Sequence, residues 1–506
     1  MNNKNAVDES LDQHINEILG TGGRLVLSTS SDCNSSASSV FYGKLGEDLV
    51  FFTFNPTRKA EQIRANPRVQ AVVWPGGEGG IRGLQIEGWC SQITDPEEQD
   101  RARQAVLATT EAFREFMDDD FLRKNRVTGY YRLRPLVITY VDFYAEEKFK
   151  WREYPHNQVS TLQQLSGDLL RGLLLWLRAL RAPFFTATLV PVLLGSVIAA
   201  GQMPSGQAFD WCLFWIVLAG ALCAHAGTNL ANDYGDHLTG NDRINATPSP
   251  FNGGSRIIQA GLIRPWKILA ASILFFSLTI ACGLYINRTI GGDWLAMTPL
   301  LAIGLVGVLL GIAYTLGPFR LSYQGFGELA IALGFGPVMV LGPHYVLTHG
   351  VPGDWQWQEP LLASIPVGLL VMSIVWINQF QDAPADAASN KNNWVVRMTR
   401  QGDRFFYRNA FNWFIGFLGL SFASVLLLAV LPWFSDMGTP WALIALLPGL
   451  LVFYMRGKGL EWLDQIDTGS VDWQRHPYLL LPVNVSTIGL HLLTGLLLVL
   501  AWLLDA

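Results

Sequence analysis

From about Leu173 onward the chain is a succession of apolar segments of roughly 17 to 24 residues, the length an α-helix needs to cross a bilayer. Nine candidate spans begin near residues 184, 211, 266, 296, 327, 360, 410, 440 and 481. The residues before them have ordinary charge and many turn formers. We therefore expect a two-domain chain: a β-rich domain over 1–155, a linker and interfacial segment over 156–172, and an all-α transmembrane bundle of about nine helices over 173–506. Met1 to Glu17 is polar and lacks the pattern of a cleaved export signal, so the front domain is expected to stay unsecreted. Cys33, Cys90, Cys212, Cys223 and Cys282 are scattered without CxxC spacing, which argues against a disulfide framework or zinc site. A net charge of -5 in 506 residues gives no sign of nucleic-acid binding.

Loop charge sets the expected orientation. Loops after even-numbered spans carry Arg243, Arg256, Arg264, Lys267, Arg320, Lys391, Arg397, Arg400, Arg404, Arg408, Arg456, Lys458 and Arg475, whereas loops after odd-numbered spans carry essentially Arg288 alone. The excess of basic residues places the even loops and the front domain in the cytoplasm, with the bundle in the inner membrane. Arg178 and Arg181 before Pro183 are expected at the headgroups, and Trp211, Trp355, Trp357 and Trp433 in an aromatic belt.

The front domain opens with a short helix over Asp8–Leu19. Strands are expected over Gly23–Ser30, Ala37–Lys44, Asp48–Phe54, Val69–Trp74, Leu84–Thr94 and Val137–Phe143, with a hairpin turn at 46–48. Helices are expected over Arg58–Asn66 and, opened by Asp95 as N-cap, over Pro96–Phe116. Six strands with few helices suggest a small closed barrel. The run Phe51-Phe52-Thr53-Phe54-Asn55-Pro56-Thr57-Arg58-Lys59-Ala60, with Asn66-Pro67-Arg68-Val69, resembles the flavin-binding split barrel of the pyridoxamine 5'-phosphate oxidase superfamily. The resemblance implies FMN as cofactor, its phosphate bound at Thr53, Thr57, Arg58 and Lys59, with Gln85 as a further contact. Hydroxyls, a guanidinium and helix N-terminal amides all donate to phosphate oxygens. Arg58 and Lys59 read equally as the solvated start of a surface helix. No substrate motif of the true oxidases is present, so haem, another flavin-like cofactor, or a docking module without cofactor stay open.

The chemistry concentrates at two span ends. Asn229, Asn232, Asp233 and Asp236 fall at i, i+3, i+4 and i+7, closing with Asp242, and Asn378, Asp382 and Asp386 repeat the arrangement at i, i+4 and i+8. Carboxylates at a helix C-terminus oppose its macrodipole and repel one another, so a cation is expected there. Four spans separate the clusters, an even number, so both emerge on one membrane side. Oxygen ligands without His or Cys suit Mg²⁺, which completes its shell with waters and substrate phosphates. Arg256, Lys391 and Arg397 in the same loops would neutralise a diphosphate. A secondary transporter is the rival reading, but it would place its acids near mid-span.

These two acid-rich stretches, with Arg181-Ala182-Pro183, Tyr314, Gly317-Pro318, Leu321-Ser322-Tyr323 and Gly325-Phe326-Gly327-Glu328, resemble the UbiA superfamily of intramembrane prenyltransferases over about 173–506. The Asn-Asp-Tyr-Gly-Asp form, the Leu-Ser-Tyr stretch and Gly334 to Pro337 look more like its 1,4-dihydroxy-2-naphthoate branch than its 4-hydroxybenzoate branch. The resemblance implies transfer of a polyprenyl group from its diphosphate to an aromatic acceptor in menaquinone biosynthesis. Asp233, Asp236, Asp242, Asp382 and Asp386 would be metal ligands, Asn229 and Asn232 would belong to the same catalytic cluster, and Arg256, Lys391, Arg397, Asn378 and Tyr314 would bind substrate. Tyr314 and Glu328 read either as acceptor-positioning residues or as a cap on the fifth span. His225 and His344 read as packing or hydrogen-bonding residues rather than ligands. Pro248 to Arg256 reads as a cap over the site or an inert loop. A reduced flavin in the front domain would keep the acceptor in its quinol or naphthol form.

Overall fold

A computed structural model describes the chain except residues 1, 22, 33, 76–81, 125, 204–207, 246–250, 252, 349–354, 403, 468–475 and 506. It divides into two compact units, one of Met1–Leu177 with Ile257–Arg264, the other of Arg178–Arg256 with Pro265–Ala506.

The first unit is an antiparallel barrel. Strands β1 (Arg24–Ser30), β2 (Ser35–Leu45), β3 (Asp48–Phe54), β4 (Arg68–Val73), β5 (Arg82–Gln92), β6 (Thr128–Asp142) and β7 (Phe149–Glu153) run in the order β3-β2-β1-β4-β5-β6-β7. Pairing of β3 with β6 closes six of them. Leu45 pairs with Asp48 across a two-residue turn whose Gly46 has φ 65°, the conformation a tight hairpin requires. Alternate residues face inward: Leu25 and Leu27, Leu49 and Phe51, and Leu84 and Ile86 are buried in one apolar cluster. Helix α1 (Asn2–Thr21) adds Leu11, Ile15 and Ile18 to that cluster. Helix α2 (Arg58–Ala65) follows β3, and α3 (Pro96–Leu107) starts where the Asp95 side chain accepts from the Glu98 N–H at 2.9 Å.

Strand β6 is longer than its sequence suggests, starting at Thr128 rather than Val137, and β7 is additional. Arg132, Arg134 and Pro135 interrupt the apolar run. The sheet tolerates Pro135 because it pairs with Gly88 at a register shift between Glu87 and Gly88, where a missing donor costs no ladder bond. A Cβ at Gly88 would lie 2.4 Å from the Arg134 carbonyl oxygen, so only glycine fits that crossing. Most of the expected linker and interfacial segment, 156–172, folds into an amphipathic helix, α4 (Thr161–Ala179), with Leu165, Leu169, Leu173 and Leu177 exposed at i, i+4, i+8 and i+12.

The second unit is a helical bundle. Among the described residues, eight helical segments are long and apolar enough to cross a membrane: Ala182–Gly201, Trp211–Thr239, Pro265–Gly291, Gly327–Thr348, Gln358–Ala388, Arg408–Trp433, Pro440–Asp467 and Leu481–Asp505. The ninth expected span is the shorter apolar helix Pro299–Ala313. Its 15 residues rise about 22 Å, short of the hydrocarbon thickness. Pro318, which cannot continue a helix, follows shortly after it. We label the principal helices α5 (Thr186–Gly201), α6 (Trp211–Thr239), α7 (Asn241–Ile244), α8 (Pro265–Gly291), α9 (Pro299–Ala313), α10 (Gly327–Leu333), α11 (Met339–Thr348), α12 (Gln358–Ala388), α13 (Arg408–Val430), α14 (Leu450–Asp467) and α15 (Leu481–Asp505).

Small residues let these helices approach closely. A Cβ on Gly195 of α5 would lie 2.2 Å from the Val340 carbonyl oxygen of α11, and one on Gly368 of α12 would lie 2.5 Å from that of Ala332. Two buried histidines are paired with side chains of other segments. His225 bonds Thr188 Oγ1 at 2.8 Å, and His344 receives the Trp355 indole N–H while its other nitrogen bonds Gln202 Oε1 at 2.9 Å.

Candidate active site

The two acid clusters meet. Asn229, Asn232, Asp233 and Asp236 occupy the last turns of α6, which ends at Gly240 with φ 77°. That glycine turns the chain into α7, so Asp242 is also buried, 4% exposed, beside the others. Asn378, Asp382 and Asp386 occupy the matching end of α12. Three contacts join the groups. Lys391 Nζ lies 3.1 Å from Asp236 Oδ2 and 3.9 Å from Asp386 Oδ1. The Asn241 amide donates to Asp386 Oδ1 at 2.7 Å, and the Asn245 amide donates to Asp382 Oδ1 at 2.7 Å.

Electrostatics follows from this crowding. Burial, then the neighbouring Asp236 and Asp233, push the Asp242 carboxyl well above its ordinary range. Burial pulls the Lys391 ammonium down, but Asp236 and Asp386 outweigh it and hold it protonated far above its usual value. Arg181, expected at the headgroups, turns to the acid cluster. Its Nη2 lies 2.5 Å from Asp233 Oδ1 and 3.4 Å from Asn232 Oδ1, with its backbone in the left-handed region at φ 53°, a strained conformation for a non-glycine residue.

The remaining expected residues have distinct surroundings. The Asn229 amide donates to the Leu180 carbonyl at 3.0 Å, and the Asn232 amide donates to Thr315 Oγ1 at 2.7 Å and Asp236 Oδ2 at 3.3 Å. Asn378 Oδ1 accepts from Asn484 of α15 at 2.7 Å. Arg256, with φ 63°, bonds the backbone carbonyls of Asp242 and Asn245. Arg397 bonds the carbonyls of Gln324 and Asn392 at 2.6 and 2.9 Å, so it fastens loops rather than facing the acids. Of the expected cap Pro248–Arg256, residues 248–250 and 252 lie outside those described. Gly254, with φ 71°, packs its backbone against Asp242: a Cβ there would come within 2.9 Å of the carboxyl.

Several contributors were given no role from the sequence, although Tyr323 belongs to the Leu321-Ser322-Tyr323 stretch that carries the resemblance. Tyr323 donates to Asp236 Oδ1 at 2.7 Å and bonds Thr239 Oγ1 at 2.6 Å. The Asn393 amide donates to Asp386 Oδ2 at 2.7 Å. The approach of α6 and α12 gives Asn241 and Asn245 their partners, whereas Asn393 bonds Asp386 within its own loop and caps the helix after it by accepting from the Val396 N–H at 2.8 Å.

An apolar cavity of about 170 Å³ lies among α6, α8, α9 and α10–α11, lined by residues including Gly220, Gly283, Gly304, Gly307, Phe335 and Tyr314. Tyr314 borders this cavity and has Lys391, Glu328 and Asp236 as charged neighbours. The arrangement therefore offers a charged, oxygen-rich end and an apolar end joined at one aromatic residue, suited to a ligand with an anionic head and a long hydrocarbon tail.

The donor set fits Mg²⁺. Asp233 Oδ2 is buried and accepts no hydrogen bond among the described residues, which leaves a carboxylate oxygen for a cation, while the Asn232, Asn241 and Asn245 amides turn their N–H groups to the other acids. Among the described residues no three acidic, His or Cys side chains converge tightly enough to hold a metal by themselves. Mg²⁺ commonly takes only one or two protein carboxylates and completes its shell with water and phosphate. In the first unit, Thr53 Oγ1 and Thr57 Oγ1 lie 3.5 Å apart, and burial lowers the Lys59 ammonium pKa, disfavouring the charged form. Arg58 is exposed and turns toward Gly261, whose added Cβ would meet its guanidinium at 3.3 Å, and Gln85 stands on the exposed face of β5.

Residues 188–465 match the UbiA prenyltransferase family, and residues 11–124 match the pyridoxamine 5'-phosphate oxidase family. The chain is 32% identical over 231 residues to a 1,4-dihydroxy-2-naphthoate octaprenyltransferase of Bacillus subtilis, covering 46% of this chain and 68% of that one. It is 28% identical over 282 residues to the protein of that name from Mycobacterium tuberculosis, covering 56% and 85%. A 2-carboxy-1,4-naphthoquinone phytyltransferase of Synechocystis is 31% identical over 224 residues, covering 44% and 66%. A crystal structure of a pyridoxamine 5'-phosphate oxidase homologue from Listeria innocua aligns with 26% of this chain and 97% of its own, at 19% identity and a TM-score of 0.22. The chain belongs to the UbiA prenyltransferase family, its membrane bundle preceded by a barrel domain of the pyridoxamine 5'-phosphate oxidase type.

Proposed function

We propose that the protein transfers a polyprenyl group from polyprenyl diphosphate to 1,4-dihydroxy-2-naphthoate, in a Mg²⁺-dependent reaction at the junction of α6 and α12. The observation that carries this reading is the convergence of both acid clusters on Lys391 beside an apolar cavity. The names of the relatives supply the acceptor.

Asp233 and Asp236 from α6, Asp382 and Asp386 from α12, and Asp242 from α7 would hold Mg²⁺ directly or through water. When bound, the ion neutralises charge on the leaving diphosphate. Lys391 and Arg181 place two further positive charges at the same end, where charge grows as the allylic C–O bond breaks. Asn241, Asn245 and Asn393 hold Asp382 and Asp386 in fixed rotamers, so little reorganisation is needed at that moment. The apolar cavity seats the prenyl chain and keeps water from the developing carbocation. The acceptor ring carbon then attacks, and its carboxyl group leaves as carbon dioxide.

The clusters lie at the ends of α6 and α12 whose loops are basic, which supports a site on the cytoplasmic face of the inner membrane. Thr53, Thr57 and Lys59 would hold the phosphate of FMN in the barrel; the flavin would supply two-electron redox chemistry. The deciding experiment compares wild type with Asp233→Ala in prenyl transfer from several diphosphates to several aromatic acceptors, with and without Mg²⁺. Transfer abolished in the variant is expected; full transfer by Asp233→Ala refutes the site.

A further inference from the structure

Glu328 at the start of α10 and Gln379 on α12 face each other below the acid clusters. Gln379 Nε2 donates to Glu328 Oε1 at 2.9 Å, and the Trp394 backbone N–H donates to the same oxygen at 3.2 Å. These bonds fix the amide orientation, since turning it over would oppose two acceptor oxygens. Two atoms are left over. Glu328 Oε2 and Gln379 Oε1 are both buried and accept no hydrogen bond among the described residues, although Glu328 is only 2% exposed. Buried acceptors without donors are costly and uncommon in folded proteins.

Their surroundings point to what completes them. Gly327 packs against Tyr314, where an added Cβ would meet the ring at 3.3 Å, and Tyr314 borders the apolar cavity. Glu328 is a charged neighbour of Tyr314, so the Glu328–Gln379 pair stands behind the residue where hydrocarbon cavity and charged cluster join. A diphosphate offers these atoms mainly further acceptors, and a prenyl chain offers no polar hydrogen. A hydroxyl group offers one.

We propose that Glu328 and Gln379 form the binding site for the hydroxyl groups of the aromatic acceptor, with Tyr314 flanking the ring. The site makes the enzyme selective for a ring bearing free hydroxyls over its oxidised quinone, which has no O–H to donate. This inference rests on the prenyl-transfer reading above.

The test uses the full chain in lipid nanodiscs, with 1,4-dihydroxy-2-naphthoate as acceptor and its dimethyl ether as a competitor unable to donate. In Glu328→Gln, the acceptor KM is expected to rise about tenfold to a hundredfold, while the KM for polyprenyl diphosphate and the Mg²⁺ half-saturation stay put. Wild type should bind the ether at least tenfold more weakly than the acceptor, and the variant should lose most of that discrimination. Gln379→Met, which removes the amide while keeping the volume, should follow the same pattern of acceptor KM and ether discrimination. Donor and acceptor KM moving together, or the variants discriminating as wild type does, overturns the inference. A wild-type protein that prenylates none of the acceptors overturns the prenyl-transfer reading instead.

Discussion

Replacing Lys391 with Met tests the centre of the site. The ammonium lies 3.1 Å from Asp236 and 3.9 Å from Asp386, and its side chain is 14% exposed. Breaking a buried ion pair by removing one partner costs about 3–5 kcal/mol, because the other charge stays buried. Partial exposure and the donors from Asn241, Asn393 and Tyr323 favour the lower end, about 3 kcal/mol. At about 1.4 kcal/mol per decade, the same charge acting on the leaving diphosphate corresponds to a kcat loss of about 150-fold. The assay pairs initial rates over a Mg²⁺ series with unfolding midpoints in the absence of divalent cations. Lys391→Met should unfold earlier without Mg²⁺, recover part of the difference when Mg²⁺ supplies positive charge, and remain slow throughout. The raised ammonium pKa means the lysine's own contribution is fully present below the unfolded value of about 10.4 and is lost only as pH rises through the folded value. A variant within threefold of wild-type kcat and with an unchanged midpoint would refute the reasoning.

Two other predictions address the cavity and the barrel. An added Cβ on Gly304 meets nothing within 4 Å and Gly304 lines the cavity, so Gly304→Leu should narrow it about 15 Å along α9 from Tyr314. Rates with long polyprenyl diphosphates should fall at least tenfold while a ten-carbon donor reacts nearly as in wild type; equal losses for both would show that the chain lies elsewhere. Arg58→Ala with Lys59→Ala should abolish the flavin absorbance bands of the purified full chain and leave its prenyl transfer intact under reducing conditions; undiminished bands would remove FMN phosphate from that corner.

Apolar length made the bundle legible because hydrocarbon leaves a backbone few alternatives. The clusters were legible because acids closing an apolar helix violate the expected charge pattern, and the loop charges put both on one side. Asp242 was harder to place: six residues past Asp236, its position depends on Gly240 adopting a left-handed turn, which a sequence permits but does not require. In the barrel, the alternating strands were readable and the first half of β6 was not, because Pro135 and its flanking arginines mimic a loop until Gly88 is placed opposite them.

The sequence by itself determined the class of each domain, the two acid clusters and their common side, since these depend on hydropathy, spacing and parity along one chain. Only the tertiary structure decided which groups meet. Asn241 and Asn245 become partners of Asp386 and Asp382, Arg181 turns to Asp233, Arg397 becomes a loop fastener, and Glu328 and Gln379 are left with open oxygens. Such pairings join segments 51 to 145 residues apart, at distances where an ångström separates a hydrogen bond from none, and no local pattern in the chain encodes them.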